Sequence, residues 1–165
     1  MRQLIPDKLN SKLDEIVTKC FCGNRIADRG MSILSVKFAM NKTEKYLHQS
    51  LAHKFPKLAD EVSGFQDSRN NLTVYGLTPE DKYDYSNPSE FFERMLEYMY
   101  ELESIISEAS ELAKEDDFAT YSFLLKFIGS VSEVTSQCIL LADKSQAYKD
   151  DIMGFDHRIE DFVIL

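Results

Sequence analysis

Residues 114–144 read KEDDFATYSFLLKFIGSVSEVTSQCILLADK. The stretch holds a helix end, a tight corner at Asp116–Asp117, and then one long helix. From Asp117 its apolar residues include Tyr121, Leu124, Phe127, Val131, Val134, Cys138 and Leu141, a face wide enough to be covered by several neighbours. This helix ends near Tyr148, and GFDHRIEDFVIL from Gly154 forms a short amphipathic tail, a small fifth helix.

Upstream, SNPSE at 86–90 starts another long helix, with Ser89 or Asn87 as cap. Its stripe runs through Phe91 or Phe92, Met95, Met99, Leu102, Ile105 or Ile106, and Ala109. Before it, residues 67–88 (DSRNNLTVYGLTPEDKYDYSNP) have no sustained periodicity, two prolines, Gly76 and an αL position near Asn70–Asn71. So long a segment without an element fits a crossover running the length of a bundle between two parallel helices.

The first third is helical too. Leu9, Leu13, Ile16, Val17 and Cys20 share one face, and Gly23 reads as a stop or kink. Ile26, Ile33, Leu34 and Phe38 continue the stripe. NKTE at 41–44 has the form of a capping box, Asn41 accepting from Glu44 and Glu44 reaching back. Leu47, Leu51, Phe55, Leu58, Val62 and Phe65 follow at helical spacing. Pro56 lies inside that run and either kinks the helix or opens a new one after His53. Nothing strand-like is long enough to make a sheet, so the fold class is all-α.

The chain has 165 residues, 44% apolar and 28% charged, which fits one globular domain over 1–165. Residues 1–23 are either part of the first helix or an added arm. The net charge of −9 excludes a general affinity for nucleic acid; Arg2, Lys8 and Lys12 are too few and are interleaved with acids. No tract of 18 apolar residues encodes a membrane span. The N-terminal MRQLIPDKLNSKLDE lacks the apolar run of a secretory signal, which makes the cytoplasm the expected location. Cys20, Cys22 and Cys138 lack zinc-finger spacing and read as buried apolar-like residues.

The order of two helical segments, a long crossover, and two helices joined by a tight corner is that of bundles with one crossover. LEYMYELESIISEASELAKEDDFATYSFL, from residue 96, resembles the third and fourth helices of bacterial non-haem ferritins. The corner DFATYSFLLKFI is the most specific part, LADKS and the short tail are also similar, and NNLTVYG resembles the family more weakly. The match covers about a third of the chain, 96–144, while 1–66 match poorly. The resemblance implies a ferritin-like four-helix bundle with a long crossover between the second and third helices. It also implies assembly into a hollow homo-oligomer, Fe(II) oxidation and iron storage.

Di-iron oxidation needs oxygen donors and imidazoles pointing inward from all four helices. Carried over by position, the family's ligands fall on Cys20 or Cys22, Phe55, Leu58, Met99, Val131 and Val134, all apolar or soft. The resemblance therefore implies a degenerate ferroxidase centre, with oxidation weak or absent. Glu97 precedes the Met99 position by two, and Glu133 stands where such proteins keep an accessory acid.

The mini-ferritins that protect DNA bind iron between subunits, and His48 in KYLHQSLAHKFPKLAD resembles their first-helix histidine, with Asp60 twelve residues on. Glu44 and His48, at i and i+4, can share one ion, whereas His53, five residues from His48, falls on a different helical face and cannot join it unless Pro56 bends the chain. The expected metal residues are thus Glu44, His48, Asp60, Glu97 and Glu133. The two functional expectations are an iron-binding storage oligomer and a non-catalytic ferritin-like scaffold that has lost its metal centre.

Overall fold

The computed structural model describes residues 2–165. Helix α1 spans Asp7–Phe38, α2 Asn41–Leu47, α3 Lys54–Ser68, α4 Pro88–Asp116, α5 Phe118–Ala147 and α6 Ile152–His157. A π-helical turn, His48–Ala52, joins α2 to α3, and a 3-10 turn, Ile159–Phe162, follows α6. No strand occurs among the described residues. α1 packs mainly on α3 and α4 mainly on α5, with α1 also against α4. The chain is an all-α four-helix bundle with a short C-terminal helix.

Local chemistry sets the helix ends. Asn87 caps α4, accepting from the Glu90 N–H at 3.2 Å, while the Glu90 carboxylate accepts from the Ser86 N–H at 2.8 Å. Pro88 sits at the first helical position, where its missing N–H costs nothing. Asp117 makes the corner. Its N–H closes α4 on the Ala113 carbonyl at 2.9 Å, and its carboxylate accepts from Ala119 N–H at 3.3 Å and Thr120 Oγ1 at 2.6 Å.

The segment between Ser68 and Pro88 crosses the bundle alongside α1, leaving α3 and α4 parallel. Asn70 starts it in the left-handed region, at φ 58°. Asn71 then ties down the N-terminus, accepting from Leu4 and Ile5 N–H at 3.1 and 3.0 Å and donating to the Ile5 carbonyl at 3.0 Å.

Three sequence expectations are corrected. Gly23 does not stop α1, which runs on to Phe38; a Cβ there would meet the Phe55 ring at 2.5 Å, so its bareness admits α3 close against α1. The capping box does not form. Asn41 already lies in α2 and accepts from Ser35 Oγ at 2.7 Å, while Asp156 of α6 accepts from the Thr43 N–H at 2.7 Å. Cys22 is only half-buried, unlike Cys20 and Cys138.

Pro56 takes the second of its two expected roles. α3 begins at Lys54, and the His53 N–H reaches back five residues to the His48 carbonyl at 3.3 Å. Pro56 offers no N–H to the Ala52 carbonyl, and Asn24 Nδ2 of α1 donates to it instead at 3.1 Å.

Among the described residues α5 is the one helix long and apolar enough to cross a membrane. Lys126 and Glu133 interrupt its sequence, which is why no continuous apolar tract was legible. Leu124, Phe127, Val131, Val134 and Leu141 are nonetheless buried by the other helices.

Candidate metal-binding residues

Midway along the bundle, Cys20 of α1, Phe55 and Leu58 of α3, Met99 of α4, and Val131 and Val134 of α5 are all at most 3% exposed. These positions, on which the ferritin pattern would place ligands, are part of one apolar core. Each such side chain stabilises the fold by about 1.5–3 kcal/mol through its removal from water. Burial pushes the Cys20 thiol up to about 12, helped by Glu61 and by Cys22, and burial alone does the same to Cys138. Both sulfurs are neutral near pH 7 and offer no thiolate. Tyr98 donates to the Lys19 carbonyl at 2.7 Å, and burial raises its pKa.

The five candidate residues are scattered. Glu44 and His48 line one shallow groove together with Asp28, Ser32 and Ser35. Asp60 is exposed on α3 and does not line that groove. Glu97 is exposed on α4 and lines a separate groove with Glu90, Glu93, Arg94 and Tyr83. Arg94 there is engaged by Asp81 at 2.9 Å. Glu133 is exposed on α5, beside Lys54, Ser136 and the C-terminal Leu165. Among the described residues no three His, Cys, Asp or Glu side chains come together in a way that could hold a metal ion.

One neighbour of His48, Asp28, was missed, and the other takes the conditional course the sequence left open. His48 and His53 meet, their ring centroids 4.6 Å apart and the rings tilted by 64°. The π turn has more residues per turn than an α-helix, which brings i and i+5 closer together. Asp28 of α1 also stands near His48, its Oδ1 3.6 Å from His48 Nδ1. The signal available in the sequence was Pro56, which disturbs the α-helical count just after the two histidines.

No family model and no curated protein matches the sequence. Solved structures do. An open-pore ferritin from the hyperthermophilic archaeon Archaeoglobus fulgidus matches with a TM-score of 0.84 at 16% identity, over 98% of both chains. A form of that ferritin engineered to be closed matches at 0.83 and 17%, again over 98% of each chain. The ferritin of Chlorobium tepidum matches at 0.79 and 14%, over 95% of this chain and 98% of its own. With its helix order, its crossover along α1 and its end-to-end superposition on these subunits, the chain has the ferritin-like fold.

Proposed function

We propose that this chain is the subunit of a cytoplasmic homo-oligomer that stores iron on its own exposed carboxylates, the bundle interior taking no part in oxidation. One observation carries the reading: a ferritin-like bundle whose central positions are filled by Phe55, Leu58, Met99, Val131 and Val134, all buried. The hydrocarbon side chains offer Fe(II) no lone pair and the Met99 thioether is too soft a donor for it, whereas carboxylate oxygens suit it. Asp60, Glu97 and Glu133, exposed, and Glu44, half-buried in its groove, supply those oxygens within a chain of net charge −9 that attracts cations. Self-association is supported by the outward side of the crossover, where Leu72, Val74, Tyr75 and Leu77 are exposed. Three free cysteines fit a reducing compartment.

The test adds Fe(II) to the purified protein in air and follows absorbance, then separates by size. The expected result is oxidation no faster than in buffer, with the iron eluting together with a high-molecular-weight protein. A rapid phase consuming two Fe(II) per chain overturns the inert interior. Iron absent from the protein peak supports instead the second reading, a ferritin-like scaffold without metal, which the scattering of the candidate ligands over separate grooves favours.

A further inference from the structure

We propose that His48 and His53 form a site for one borderline divalent cation such as Zn2+ or Cu2+, with the Asp28 carboxylate adding negative charge beside His48. The inference goes beyond iron storage and stands apart from it, because it concerns an imidazole pair that the π turn creates.

The geometry points this way. Metal–nitrogen bonds of about 2.0–2.1 Å put an imidazole centroid about 3.2 Å from its ion, so two rings held about 90–110° apart around that ion lie about 4.5–5.2 Å from each other. The observed separation is 4.6 Å. Asp28 Oδ1 lies 3.6 Å from His48 Nδ1, longer than a hydrogen bond, so it places negative charge beside that nitrogen and leaves Nε2 free of it. Glu44, one turn before His48 in the same groove, adds negative charge beside the pair.

Imidazole is the donor that zinc, copper and nickel accept readily, and water fills their remaining positions at an open surface site. His48 is partly exposed, with 39% of its side chain accessible, and His53 is exposed, so an ion reaches the pair without opening the fold. A regular α-helix would separate these rings; π turns occur often at functional sites because they re-aim side chains in this way.

The test is calorimetric titration of the full-length protein with ZnCl2 in a non-chelating buffer. We expect one Zn2+ per chain in the micromolar range. His48→Ala and His53→Ala should each weaken it at least tenfold, Asp28→Asn roughly tenfold, and His157→Ala, in the tail, should change nothing. Circular dichroism checks that each variant keeps its helices. With Cu2+ as probe, electron paramagnetic resonance should show two nitrogen ligands in the parent chain and one in either histidine variant. Undiminished binding by His53→Ala, or no Zn2+ binding at all by the parent chain, overturns the pair.

Discussion

A single methyl group is expected to act with opposite sign at two positions, one just past the end of α1 and one within it. Ala39 ends the helix with φ at 57°, in the left-handed region where a Cβ crowds the backbone. Ala39→Gly relieves that crowding, and the exposed site has little packing to lose, so the variant should be more stable by about 0.5–1 kcal/mol. Gly30 is the reverse. A Cβ there would run into the Phe91 ring, which is itself fully buried between Tyr85 and Phe92. Gly30→Ala should therefore cost about 1–3 kcal/mol as α1 and α4 are forced apart. Urea denaturation of the two variants against the parent chain measures both signs in one experiment. Neither effect was legible in the sequence, because both depend on where the backbone turns and what lies across from it.

Among the elements, the long helices and the parallel crossover could be read from periodicity and punctuation, since Asn87, Pro88 and Asp117 act through their own neighbours. What could not be read is held by partners distant in sequence. The crossover has no element of its own because one polar face of α1 holds it. Asn10 donates to the Leu72 carbonyl, Asp14 accepts from Val74, Thr18 accepts from Gly76, and Arg25, Arg29 and Lys37 hold Thr78, Tyr83 and Tyr85. Those residues recur at helical spacing on α1, but sequence periodicity was searched for apolar side chains alone. Likewise α2 is capped by Asp156 from the tail, a residue more than a hundred positions away.

That docked tail has a defined pH window. Glu160 accepts from Lys42 Nζ at 3.1 Å and from Tyr46 OH at 2.9 Å. The Lys42 hydrogen bond, then that of Tyr46, holds its carboxyl below the ordinary 4.5, while Glu160 raises Tyr46 above the ordinary 10.0. A depressed acid contributes stability above its unfolded value and loses it as pH falls through the folded one. A raised phenol contributes below its unfolded value and loses it as pH rises. The dock is thus complete between about pH 4.5 and 10 and loosens at both ends. Hydrogen exchange of the 152–165 peptide should show protection falling below this window, with the acid limb absent in Glu160→Gln.

At the scale of the whole molecule, the sequence carried the bundle, since the apolar stripes of its long helices meet in one core. It did not carry the surface by which copies would meet, because exposure is a property of the folded crossover. There Leu77 is 97% exposed and Leu72 67%. Val74 and Tyr75 lie between them, both also open to solvent, giving four apolar side chains within six residues. If two copies pair through this strip about a two-fold axis, each residue is buried twice. Replacing Leu77 by Glu then removes about 3 kcal/mol or more of apolar burial per pair, equivalent to a loss of about 100-fold in association. The remaining fold should be untouched, because Leu77 touches nothing that holds the bundle. Size-exclusion chromatography with light scattering at several concentrations measures the shift. With −9 on each chain, mutual repulsion opposes assembly, so the parent protein should associate more tightly as salt rises from about 10 to 150 mM and the screening length shrinks from about 30 to 8 Å. A Leu77→Glu chain that elutes at the parent's size at every concentration would move the interface to another face.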